Sequence, residues 1–126
     1  MHTYIKVFTV ACIIFLSGPT LAEWTYFDGD TETRHYIDIG TLTKNGKSRK
    51  VWVMYDLNVP KNGYSSVISK AEFDCKERRY RWLTLTSYFG PMGSGRAIEV
   101  DNSKHDWVDI APNQVFDYAL KIVCSN

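Results

Sequence analysis

The sequence predicts an α+β domain: an antiparallel meander of roughly six strands, with one C-terminal α-helix packed on a face of the sheet and tied to it by a disulfide. Three observations carry this. Apolar and aromatic residues recur with period two through most of the chain. The period becomes helical only after Pro112. Once an N-terminal leader is set aside, two cysteines remain, Cys75 after a strand and Cys124 at the end of the helix.

Residues 24–27 form the first strand and residues 35–39 the second, separated by the turn-forming Asp28-Gly29-Asp30. Lys44-Asn45-Gly46-Lys47 is a turn, because Asn-Gly tolerates the positive φ of a tight hairpin. Residues 50–57 make the clearest strand, rich in β-branched and aromatic side chains, and residues 60–63 end it. In residues 67–75, Val67, Ser69, Ala71, Phe73 and Cys75 share one face, whereas Ile68, Lys70, Glu72, Asp74 and Lys76 share the other. Lys76-Glu77-Arg78-Arg79 turns the chain into a fifth strand over residues 79–88. Strand parity groups Tyr80, Trp82 and Tyr88 on one side and Arg81, Leu83 and Leu85 on the other. The glycine-rich residues 90–96 read as a flexible connection to a sixth strand at residues 97–100. In residues 112–124, Val115, Phe116, Ala119, Leu120 and Val123 fall on one helical stripe, and Pro112 suits a first turn. Ala71, Phe73, Leu83 and Leu85 offer this helix an apolar floor, which sends Tyr80, Trp82 and Tyr88 outward.

Residues 1–22 have the layout of a secretory signal peptide. Lys6 precedes an apolar run over residues 7–16, Gly18-Pro19 breaks it, and Thr20-Leu21-Ala22 offers a cleavage site. The run is shorter than the roughly 20 residues a bilayer span needs, so no integral span is expected after the leader is removed. Cys12 reads as a hydrophobic residue of the leader. The mature domain is then residues 23–126, exported, and two cysteines in an exported chain pair. Closing a loop of about 50 residues is worth roughly 4 kcal/mol in the chain-entropy model. The whole chain has 15 basic and 14 acidic residues; Lys6 leaves with the leader, and the mature domain is formally neutral. Neutrality argues against a nucleic-acid partner, whose binding is dominated by net positive charge.

Catalytic and metal motifs are missing. Asp28-Gly29-Asp30-Thr31-Glu32 begins like a calcium loop, but Thr33 stands where the sixth-position glycine belongs and Ile39 where the final glutamate belongs. Residues 90–96 lack the lysine-serine ending of a phosphate-binding loop. No nucleophile elbow occurs, and His35 and His105, in polar turn-like contexts, have no zinc-ligand spacing from a cysteine. The expectation is a non-enzymatic domain without cofactor or metal. Its candidate partner contacts are Tyr80, Trp82, Tyr88, Arg79 and Trp107, since outward aromatics and arginines anchor protein partners, or a second copy of the chain in a homodimer.

Several segments together resemble the surface-adhesin E-like family of bacterial exported proteins. They are Trp24, Tyr36-Ile37-Asp38, Lys44-Asn45-Gly46, Val51-Trp52-Val53-Met54-Tyr55, Ser65-Ser66, Phe73-Asp74-Cys75, Arg79-Tyr80-Arg81, Tyr88-Phe89, Gly93-Ser94-Gly95, Trp107-Val108-Asp109-Ile110-Ala111-Pro112 and Val123-Cys124. The resemblance spans the mature chain. It implies a six-stranded sheet with a disulfide-held C-terminal helix and export by a Gram-negative bacterium, to the periplasm or the outer-membrane surface. The founding adhesin is an outer-membrane lipoprotein that contacts host extracellular proteins. Two functions follow: a module binding host or envelope proteins, or a periplasmic housekeeping protein with a small-molecule or envelope-component ligand.

Overall fold

A computed structural model describes residues 22–125, so the expected signal peptide lies outside the described residues except for Ala22. Seven strands form one antiparallel sheet: β1 (Thr25–Gly29), β2 (Thr33–Asn45), β3 (Ser48–Lys61), β4 (Tyr64–Asp74), β5 (Arg79–Tyr88), β6 (Ala97–Asp101) and β7 (Val108–Asp109). Strands β1 to β6 lie in chain order, and β7 continues the edge by pairing with the start of β5. A single helix, α1 (Val115–Ser125), follows.

The meander follows from its turns. Gly46 (φ 58°) joins β2 to β3, and Asn62 (φ 50°) with Gly63 (φ 83°) joins β3 to β4; both use residues that accept the left-handed region. β2 and β3 outrun their expected limits at both hairpin ends. Ladder hydrogen bonds carry them past the apolar alternation that marks the core. Pro60 falls in the stretch between Asp56 and Lys61 where the β3–β4 register slips, so its missing N–H breaks no regular ladder.

α1 lies across one face. Ala119, Leu120 and Val123 are buried there against Ile37, Val51, Val53, Ala71 and Phe73, with Phe116 packed beside them. Cys75 and Cys124 are bonded, with their Cα atoms 5.8 Å apart. The expected architecture holds, with two local corrections. The helix begins at Val115 and not at Pro112, because Asn113 adopts a left-handed φ of 63°. Val115 is outside the core cluster, and the buried stripe includes Asp117 instead.

A third correction concerns which side of β5 faces the helix. Phe73 pairs with Tyr80 and Ala71 with Trp82, but Lys70 pairs with Thr84, leaving Leu83 as an extra residue in a β-bulge. Tyr80 and Trp82 therefore share the face of Phe73 and Ala71, under the helix. Beyond the bulge the parity inverts: Leu85 and Ser87 point to the helix side, and Tyr88 points away. Tyr80 stacks on Phe116 at 4.2 Å between ring centroids, and Trp82 meets the same ring edge-on at 5.5 Å. Neither looks outward.

Candidate functional site

Among the described residues, no α-helix packs on the opposite face of the sheet. One part is closed by the glycine-rich loop, which was expected to be flexible. Instead it is docked over β3 and β4. Met92 N donates to Asp56 Oδ1 at 2.8 Å, Gly93 N to Ser66 Oγ at 2.8 Å, and Ser66 Oγ to the Gly90 carbonyl at 2.6 Å. Gly93 (φ 72°) sits so close that an added Cβ would lie 2.5 Å from Ile68 Cδ1. The loop seals Met54, which is fully buried.

At the other end, Trp107 lies over two guanidiniums, 4.5 Å from Arg79 Cζ and 4.2 Å from Arg81 Cζ. Arg79 Nε donates to Asp74 Oδ2 at 3.1 Å, and Arg81 Nη2 reaches Glu72 Oε1 at 2.6 Å. This stack pins the irregular edge before β7, helped by His105 N donating to the Trp82 carbonyl at 3.0 Å. Arg79 and Trp107 are thus joined to each other, and both guanidiniums are matched by carboxylates.

Between these two regions is a concavity of about 660 Å³. Trp24, Trp52 and Tyr88 line it with Ile68, Thr86 and Asp38. Cross-strand register builds it: Asp38 pairs with Trp52, Trp52 with Lys70, and Lys70 with Thr84, so all four stand in one row. Lys70 Nζ sits 6.0 Å above the Trp52 ring. Asp38 is nearly buried and accepts Gly40 N at 3.2 Å and Glu23 N at 3.3 Å, which holds the N-terminal segment along the rim. Of the five residues expected to contact a partner, the structure places Tyr88 on this wall, groups Arg79 with Trp107 farther along the face, and puts Tyr80 and Trp82 beneath the helix. Sequence reading passed over Trp24 and Trp52. Their only signal was matching strand parity across three strands, which needs the register.

The buried carboxylates were also missed. Asp117, 1% exposed, accepts Asn113 N at 2.9 Å, Arg78 Nη2 at 2.6 Å and Lys121 Nζ at 3.2 Å. The Asn113 N–H, then the Arg78 and Lys121 cations, hold its pKa down to about 2. Burial alone would raise Asp74, but the Glu77 N–H, Arg79, Lys47 and the Lys76 N–H outweigh it and the net shift is downward. Burial is likewise outweighed at Glu72, by Ser48 and Arg81. A carboxylate whose folded pKa is depressed stabilises the fold above its unfolded value, near 3.9, and that contribution is lost as pH falls through the folded value. Urea midpoints are therefore expected to fall most steeply between about pH 4 and 2, after a shallower decline from about pH 6.5 downward where the unfolded chain protonates His35 and the fold resists it. Asp117→Asn should lower the midpoint at pH 7 and make the acid loss shallower. A variant with the wild-type acid profile would show that Asp117 does not set it.

Two histidines complete the inventory. His35 is not in a turn: it stands in β2, 4.8 Å from the Tyr55 ring and 6.0 Å from Phe27, and burial pushes its pKa down. His105 Nε2 lies 3.0 Å from Asp101 Oδ2, and Ser103 Oγ donates to Asp101 Oδ1 at 2.5 Å. The hydroxyl binds the carboxylate and not the imidazole, so these three do not form a nucleophile-base relay. Among the described residues, no three His, Cys, Asp or Glu side chains are grouped to hold a metal, and no helix is long and apolar enough to cross a membrane.

The fold defines a class: a small antiparallel meander, one face covered in part by a disulfide-tied helix and the other bearing an open aromatic hollow. Residues 24–125 match the family described as surface-adhesin protein E, and the chain belongs to that family. It is similar in fold to crystal form II of Haemophilus influenzae protein E, with a TM-score of 0.65 at 17% identity over 82% of this chain and 87% of that one. It is also similar to protein E from non-typeable Haemophilus influenzae, with a TM-score of 0.58 at 18% identity over 88% of this chain and 82% of that one. No curated protein matches the sequence. Membership supports a surface adhesin.

Proposed function

We propose that the domain, exported by cleavage after Ala22, is a non-enzymatic adhesin that binds an extracellular host protein through its helix-free face. The observation that carries this reading is the hollow walled by Trp24, Trp52 and Tyr88 on the sheet face opposite α1. Large aromatics in a recess are the side chains that most often anchor a protein partner. The recess is bounded by a docked loop on one side and the Arg79–Trp107–Arg81 stack on the other, so its walls are set before binding and little ordering is left to offset.

Titrating the immobilised domain with a panel of extracellular-matrix proteins tests this. Trp52→Ala is expected to weaken binding about tenfold or more, while Tyr118→Ala, on the exposed side of α1, leaves it unchanged. Equal binding by both variants would remove the hollow from the interface. A periplasmic envelope protein is the second reading, favoured by Thr9-Val10-Ala11, a poor lipidation sequence before Cys12. Protease added to intact cells separates the two: digestion supports surface display, and protection until the outer membrane is breached supports the periplasm.

A further inference from the structure

We propose that the end of the sheet formed by the β2–β3 and β4–β5 hairpins is a binding site for a sulfated polysaccharide. Formal neutrality conceals a polarised molecule. Lys44, Lys47, Arg49, Lys50, Lys76, Arg78, Arg79 and Arg81 all lie on or beside these two hairpins, and Lys121 is brought to them by α1. Asp28, Asp30, Glu32, Asp56 and Glu99 lie toward the opposite end, near the β1–β2 and β3–β4 turns.

At the basic end Glu72, Asp74 and Asp117 are buried, so the exposed acids there, Glu77 and Asp109, are outnumbered by exposed cations. Asp74 and Asp117 side chains are 3% and 2% exposed, whereas their partners Lys47, Arg78 and Lys121 are 56%, 47% and 60% exposed. Each buried carboxylate therefore fixes two cations at the surface: Asp74 holds Lys47 and Arg79, and Asp117 holds Arg78 and Lys121. Arg49 is turned by its own bonds to the Gly46 and Ser48 carbonyls. Lys44 and Lys76 have no carboxylate within ion-pair distance among the described residues. Pre-positioned cations spread over hairpin tips suit a chain that carries a charge at every sugar, and arginine forks match sulfate oxygens. Nucleic acid is disfavoured because Tyr80 and Trp82 are under α1 and Trp107 lies against the two guanidiniums, so the exposed Tyr118 beside Lys121 is a lone ring where base stacking needs a row. A lipid surface is disfavoured because neither residues 44–48 nor residues 74–79 include a large apolar side chain.

This site adjoins the aromatic hollow at the Arg79–Trp107–Arg81 stack but does not rest on the function proposed for the hollow. Heparin binding measured against NaCl concentration tests it, with fully desulfated heparin, duplex DNA, a polyglutamate peptide and anionic vesicles as competing arms. The protein should bind heparin in preference to the other four, with log affinity falling linearly against log salt. The double variant Lys44→Gln/Lys76→Gln touches no buried carboxylate; each lost contact should flatten that slope by about one, so the pair flattens it by about two. Lys61→Gln, at the other end of the sheet, should leave it unchanged. Failure to bind heparin at low salt, equal binding to the desulfated form, or tighter binding in another arm overturns the proposal, as does an equal effect of Lys61→Gln.

Discussion

Phe116→Ala is expected to destabilise the domain by about 3–5 kcal/mol, a large part of the roughly 5–15 kcal/mol available to a domain of this size. Phe116 is the ring on which the helix-side aromatics converge. It stacks on Tyr80 at 4.2 Å and meets Trp82, Tyr55 and His35 edge-on at 5.5, 6.4 and 6.4 Å. Truncation removes those contacts together and leaves a void that four stiff strands cannot close. Tyr118 is two residues away and 40% exposed, so Tyr118→Ala should change stability by no more than about 0.5 kcal/mol. Urea midpoints of the two variants decide the matter. Small and equal shifts would mean that α1 is a loosely attached tail.

Reducing Cys75–Cys124 is expected to act almost as strongly. The bridge spans a sequence separation of 49, and a loop of that length contributes about 4 kcal/mol by restricting the unfolded chain. For a domain of about 100 residues, each kcal/mol shifts the melting midpoint by roughly 4–8 °C, so the reduced protein should melt some 15–30 °C lower. The Cys75→Ser/Cys124→Ser variant should match the reduced wild type and be insensitive to reductant. A midpoint unchanged by reduction would show that packing alone holds α1 in place.

The fold was legible because its signals are local. Alternation at residues 50–57 and 67–75, the Asn45-Gly46 turn and the helical stripe around Phe116 each report on a few neighbouring residues. What escaped depends on pairing between distant strands. Trp82 and Tyr88 have the same parity on paper, yet Leu83 shifts the register between them and puts them on opposite faces. The hollow was illegible for the same reason, since Trp24, Trp52 and Tyr88 meet only once four strands are in register. Asp117 stands in the first helical turn, where an acidic residue is ordinary and draws no notice. Its burial becomes tolerable through Arg78, Lys121 and the Asn113 N–H. Gly93 read as slack in a linker because nothing local reveals Ile68 beneath it.

The Cys75–Cys124 bond also determines how the molecule would yield to tension, the load an adhesin meets in flowing liquid. A pull between the ends of the family domain at residues 24 and 125 passes along residues 24–75, crosses the sulfurs and leaves after Cys124. Strands β5 to β7 and most of α1 lie within the bypassed loop and cannot be drawn out. The domain's fully stretched length of about 350 Å is thereby cut to roughly half. The first four strands can unzip while the part of the chain containing Arg78, Arg79 and Arg81 remains a closed ring, so contacts made there would outlast the loss of the N-terminal half of the sheet.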